Sequence, residues 1–240
     1  MKPILVIEQE YSLRGLGLLG ERLEASGLPY RSLQAWDERV DDLDVHDAAA
    51  VIPLGGIAHA WDDGVPALRS QRALLREAVE QRVPVFGICL GGQLLARALG
   101  GDVRAAQTPE TGWLEITPTA EARDDPVFHV LDSATGVYQW HYDVFEPPPG
   151  SRVLARSEAA PNQGFRVDGT DAWGIQFHPE VTPELWELWI ARNRSEVEEA
   201  GVDVDALRGE VETGARKSLA FRTALFDAFI DRVRERSSAA

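Results

Sequence analysis

The chain is poor in the residues that make frameworks and metal clusters. Among its 240 residues there is one cysteine, Cys89, and one methionine. A lone cysteine cannot close an internal disulfide, and it excludes the multi-cysteine zinc and iron–sulfur patterns. The five histidines, His46, His59, His129, His141 and His178, are too dispersed along the chain to suggest a metal cluster, so no metal and no cofactor is expected. Basic residues are also scarce: 24 Lys and Arg stand against 39 Asp and Glu, a formal charge of −15. That balance disfavours nucleic acid or an anionic membrane surface as a direct partner. No run approaches the roughly 18 apolar residues of a membrane span. The apolar stretch Ile4 to Ile7 is too short for a secretion signal, so a cytosolic setting is expected and the sequon Asn193-Arg194-Ser195 carries no weight. Internal repeats and low-complexity linkers are absent as well.

What is present is ample core material: 44% hydrophobic residues, including seven tryptophans. Ile4 to Glu8, Ala48 to Leu54 and Pro84 to Ile88 are short, nearly continuous apolar runs, as expected of strands covered on both faces of a parallel sheet. Leu13 to Ala25, Val65 to Gln81 and Gln93 to Leu99 show helical spacing between or after them, with Gly27 and Gly100-Gly101 as stop signals. This alternation predicts a doubly wound α/β sheet. From Val103 to Phe177 short β-like pieces (Trp113–Pro118, Gly136–Trp140, Arg152–Ala155, Gly164–Val167, Ala172–Phe177) predict an antiparallel extension. After Thr182 the pattern is helical. Leu185, Trp186, Trp189 and Ile190 form one stripe. Phe221, Leu225, Phe226, Phe229, Ile230 and Val233 form another, with Arg222, Asp231, Arg232 and Arg234 assigned to the opposite, polar face. Residues 1–182 are expected to be one domain and 183–240 a helical extension on it. The tail stripes are read as core in preference to a partner-binding face.

Gly87-Ile88-Cys89-Leu90-Gly91-Gly92-Gln93 carries the strongest chemical signal. An apolar strand ends, a nucleophilic side chain follows, and glycines surround it just before a helix: the strand–turn–helix elbow in a G-x-C-x-G form. The helix N-terminus then faces the sulfur, an arrangement that activates a thiol. Cysteine in an arbitrary strand is usually a small buried hydrophobe. Such a residue has no need of glycines at 87, 91 and 92. A thiolate nucleophile requires an imidazole, and the imidazole an orienting group. Gly174-Ile175-Gln176-Phe177-His178-Pro179-Glu180 offers both at the end of another apolar strand. Alone, His-Pro-Glu reads as a surface turn; paired with the elbow it completes a Cys–His–Glu set.

These two segments, with Pro53-Leu54-Gly55-Gly56 upstream, resemble the class I, triad-type glutamine amidotransferases, in particular the stand-alone relatives of the GMP synthase glutaminase domain. The resemblance covers residues 1 to about 182, and the tail more loosely. It implies a flavodoxin-like core and glutamine as a small-molecule substrate, with Cys89 as nucleophile, His178 as base and acid, and Glu180 orienting it. Backbone N–H groups of Gly56 and Leu90 would form the oxyanion hole. Gly55, Gln93, Trp140, His141, Tyr142 and Asp143 would surround the substrate. Many relatives carry glycine where this chain has Tyr142, which implies a narrowed pocket or a different choice of amide. With no phosphate-cradling loop bearing a lysine, any ammonia acceptor would be activated by a separate synthetase. A γ-glutamyl peptidase or hydrolase, and a non-catalytic subunit of the same fold, are the alternatives.

Two further patterns have blander readings. Gly15-Leu16-Gly17-Leu18-Leu19-Gly20 fits G-x-G-x-x-G, with Asp37, Asp41 and Asp42 about 20 residues on. Its first glycine comes several residues after the strand ends at Glu8, so helix packing is the better reading than a dinucleotide site. His141 could be a packed core imidazole, though the motif match favours a place near the site. His46, His59 and His129 are expected on surfaces or loops.

Overall fold

The computed structural model describes residues 2–36, 40–199 and 203–239; Asp37 lies outside them. In chain order the elements are β1 (Ile4–Glu8), α1 (Gly17–Ser26), β2 (Tyr30–Gln34), β3 (Ala50–Pro53), α2 (Pro66–Glu80), β4 (Val85–Ile88) and α3 (Leu90–Ala98). There follow β5 (Asp102–Pro118), β6 (Thr135–Glu146), β7 (Ser151–Arg156), β8 (Gly164–Val167) and β9 (Ala172–Ile175). Four helices complete the described chain: α4 (Pro183–Arg192), α5 (Arg194–Glu199), α6 (Val204–Lys217) and α7 (Leu219–Ala239).

The nine strands among the described residues form one sheet in the order β2-β1-β3-β4-β9-β8-β7-β5-β6. The first five are parallel and the remainder antiparallel. The 2-1-3-4 start is the flavodoxin-like order, in which ligands bind beyond the carboxyl ends of the parallel strands. Alternate residues of β1 show why its run is continuously apolar. Ile4 and Val6 pack with α1 and α7 on one face, and Leu5 and Ile7 pack with α2 and α3 on the other.

The helices after residue 182 are integral to this core. Leu225, Phe226, Phe229, Ile230 and Val233 of α7 are at most 2% exposed. Each such side chain contributes about 1.5–3 kcal/mol on burial, on the order of 10 kcal/mol together. A smaller cluster joins Leu185, Trp186, Trp189 and Ile190 of α4 to Tyr138 of β6 and to Leu207 and Val211 of α6. The tryptophan and phenylalanine stripes are therefore interior.

Several elements differ from the sequence expectation. β2 is an edge strand in which only Leu33 and Gln34 are buried, so it carries no apolar run to read. β5 and β6 run on well past the pieces expected, because they pair with each other over nearly their whole length about an irregularity between Ala105 and Glu110. Arg222 requires a correction. It does not lie on a polar face of α7 but is 1% exposed, beneath the turn that carries Glu180.

Candidate active site

β4 ends at Ile88 and α3 begins at Leu90, so Cys89 alone makes the connection. Its backbone stands at φ 50°, ψ −109°, a conformation that costs about 1–3 kcal/mol and persists only when the surroundings impose it. They do so through backbone contact. A Cβ on Gly91 would stand 2.0 Å from the Pro53 carbonyl oxygen, and one on Gly87 2.5 Å from that of Gly91. The start of α3 is thus seated directly on the ends of β3 and β4, and only glycine fits. The Cys89 N–H donates to the Ile175 carbonyl at 2.8 Å, which extends the β4–β9 pairing to the thiol itself. Gln176 Nε2 lies 3.6 Å from the sulfur.

His178 follows β9, its N–H donating to the Tyr138 carbonyl of β6 at 2.8 Å. Its Nδ1 and Glu180 Oε1 are 2.7 Å apart, and both residues are buried. The carboxylate occupies Nδ1, which leaves Nε2 for the thiol. Burial alone would lower the pKa of this imidazole. The charges of Glu180 and Cys89, and hydrogen bonds to both, outweigh burial and push it up to about 10. The ring is walled by Trp189 of α4, edge-on with centroids 5.7 Å apart.

Cys89 and His178 open into a cavity of about 230 Å³. Gly56, Gln93, Trp140, His141, Tyr142 and Asp143 also line it. Gly55 is packed behind the imidazole: a Cβ there would meet His178 Cε1 at 2.6 Å. Leu90, in the first turn of α3, and Glu180 stand behind the cavity wall. Gln93 Nε2 donates to the Asp143 carbonyl and to Gln176 Oε1, each at 3.3 Å. His141 lies between the core and the cavity. It lines the cavity, yet it is 3% exposed, with Nδ1 3.0 Å from the Asp143 carbonyl and Nε2 3.3 Å from Glu110. Tyr142 is half exposed at the mouth.

A family model for class-I glutamine amidotransferases matches residues 26–195. The chain belongs to that family. The glutamine-hydrolysing GMP synthase of Thermosipho melanesiensis is 30% identical over 194 residues, covering 80% of this chain and 35% of that protein. One subunit of the glutamine-hydrolysing GMP synthase of Thermococcus kodakarensis is 37% identical over 126 residues, 52% of this chain and 65% of that one. The chain therefore spans about a third of the former and about two-thirds of the latter. A crystal structure of a glutamine amidotransferase from Thermotoga maritima superposes with a TM-score of 0.85 at 26% identity, covering 97% of both chains.

Around the pocket stand residues that carry no signal in the sequence. Glu10, just past β1, accepts the N–H groups of Ile57 and Ala58 at 3.0 and 3.1 Å and pins the loop that carries Gly56. His59, expected on the surface, is exposed but belongs to the pocket: it lines the mouth, stacks on Trp61 and holds Asp143 Oδ2 at 2.7 Å. Neither is marked locally, because each acts on a partner far along the chain. The G-x-G-x-x-G segment is a packing device against the His-Pro-Glu turn. Gly17, at φ +47°, lies where a Cβ would come within 2.1 Å of the Glu180 carbonyl oxygen, and the Leu18 N–H donates to that same oxygen at 2.9 Å. Among the described residues no group of three or more His, Cys, Asp or Glu could hold a metal, and no helix is long and apolar enough to cross a membrane.

Proposed function

We propose that the protein hydrolyses the side-chain amide of glutamine through a thioester on Cys89. The observation that carries this reading is the buried His178–Glu180 pair, 2.7 Å apart, opening with the one cysteine of the chain into the same cavity. The Cys89 thiolate attacks the amide carbon, and the oxygen gains negative charge opposite the Gly56 and Leu90 N–H groups. Each such donor contributes about 3 kcal/mol to the transition state. The tetrahedral adduct collapses, His178 gives its proton to the departing nitrogen, and ammonia leaves. Neutral His178 then takes a proton from water, whose oxygen attacks the thioester. Glutamate leaves and the thiolate–imidazolium pair is restored. Glu180 holds the ring in one orientation throughout and stabilises its charged form. Gln93 and the Trp140–Asp143 segment supply polar groups on the side of the cavity where the α-amino and carboxylate groups of the substrate would sit.

A separate synthetase consuming the ammonia is part of the proposal. It is supported by the length of the full GMP synthases, of which this chain matches about a third. Relatives named as single subunits of a GMP synthase support it as well. The direct test is ammonia release from glutamine by the purified chain, with and without candidate synthetases. No release under either condition overturns the reading.

Tyr142 favours a second reading, hydrolysis of γ-glutamyl conjugates. Its phenol is half exposed at the cavity mouth, where it can cover a substituent on the scissile nitrogen. Tyr142→Gly is expected to raise kcat/KM for glutamine relative to γ-glutamyl peptides by roughly ten-fold, about the discrimination that one pocket contact provides. Parallel turnover of glutamine and a γ-glutamyl dipeptide by both proteins measures it. An unchanged ratio removes Tyr142 from substrate selection.

A further inference from the structure

We propose that Arg222 of α7 is the positioning residue for Glu180, so that the C-terminal helices set the geometry of the Cys–His–Glu relay. The inference rests on the glutaminase reading above. The guanidinium is 1% exposed. Taking a cation out of water is costly unless its donors are satisfied, and those of Arg222 are directed to backbone oxygens. Nη1 donates to the carbonyls of Pro179 at 3.0 Å and Val181 at 2.7 Å, and Nη2 to that of Ala215 at 2.7 Å. Nε donates to Ser218 Oγ at 3.1 Å, and the Trp113 ring of β5 covers the group at 5.4 Å.

The two carbonyls held by Nη1 flank Glu180 in sequence, and the carbonyl of Glu180 itself is held by the Leu18 N–H of α1. Three successive peptide oxygens are thus fixed from two helices. The backbone is thus held on both sides of Glu180, whose side chain reaches His178. A planar fork directs separated donors to two carbonyls on one side, a third on the other and the Ser218 hydroxyl, four acceptors that the three donors of a point-like ammonium do not match. The charge matters too. Burial lowers the Arg222 pKa to about 10, with Glu180 and Glu21 opposing that drop, so the group stays cationic at neutral pH. Glu180 Oε2 is buried without a hydrogen-bond partner among the described residues, and this cation offsets its charge.

The test compares full-length wild type with Arg222→Met, Arg222→Lys and Arg232→Met. The last breaks the α7 ion pair to Asp171, 2.7 Å long, away from the turn, and reports on general loosening of the tail. Arg222→Met is expected to lose roughly 100-fold in kcat, the scale of a small misplacement in a relay, with KM changed less than about two-fold. The His178 ring titration, followed by NMR, should fall towards the ordinary histidine range. Arg222→Lys should recover roughly ten-fold of the lost kcat because it restores the cation without the fork. Arg232→Met should keep both kcat and the titration of His178 while its melting temperature drops. The inference is overturned if Arg222→Met holds kcat within two-fold, or if the His178 titration does not move. Arg222→Lys decides by the same two readings if Arg222→Met does not fold. A wild type that releases no ammonia defeats the glutaminase reading, and the His178 titration then decides the role of Arg222 alone.

Discussion

Cys89→Ala is expected to lower the proposed glutamine-dependent ammonia release by roughly 10⁴- to 10⁶-fold, about 5–8 kcal/mol of transition-state stabilisation. The size of the effect follows from the arrangement. The pocket and the proposed oxyanion donors remain, but neither can form the acyl bond, and no other thiol exists in the chain to replace it. Loss of fold does not account for such a drop. Alanine keeps the Cβ and changes only one buried sulfur, so a stability loss of about 1 kcal/mol is expected. For a chain of this size that moves the melting temperature by only about 2–4 °C. Ammonia assays and thermal melts on the same preparations therefore separate the two causes. Turnover within ten-fold of wild type would exclude Cys89 as nucleophile.

Glu180→Gln is the second large effect, with a direction in pH as well as a size. His178 is held above its ordinary range against the cost of burial by the charges of Glu180 and Cys89. A raised imidazole pKa means that the proton required by the leaving nitrogen in the proposed reaction remains on the ring well above neutral pH. It is lost only as pH climbs through the folded value, which lies at about 10. In wild type the basic limb of kcat/KM should accordingly lie far on the alkaline side. Removing the carboxylate charge leaves burial acting against weaker opposition, so the limb moves to lower pH. At neutral pH kcat should fall by roughly 10²- to 10⁴-fold, as expected when an imidazole loses its orienting group. Glutamine turnover between about pH 6 and 10.5 covers both changes. A basic limb that stays in place, or moves upward, would contradict this assignment of Glu180.

The parts of the molecule that were legible in the sequence are those encoded by local chemistry. β1, β3 and β4 announce themselves as short apolar runs because both of their faces are covered. The elbow is legible because close backbone contact leaves room only for glycine at 87 and 91. β2 was not legible, since an edge strand needs no buried face. Arg222 was misassigned for an instructive reason. Its spacing to Leu225, Phe226 and Phe229 is i+3, i+4 and i+7, so periodicity alone puts it on the apolar stripe. Its charge argued for the opposite face. What resolves the conflict is a pair of carbonyls 41 and 43 residues earlier, and no local pattern reports them. Glu10 and His59 share that property, with partners 47 and 84 positions away.

The central claim is that Cys89 is a nucleophile addressed by a glutamine-shaped pocket. Its most direct test is the mass of the wild-type protein after exposure to a glutamine analogue bearing an electrophile in place of the amide. The predicted result is a single adduct, mapped to Cys89 by peptide sequencing, slowed by added glutamine and absent from Cys89→Ala. No adduct, or labelling of Cys89 that glutamine does not slow, would contradict that claim.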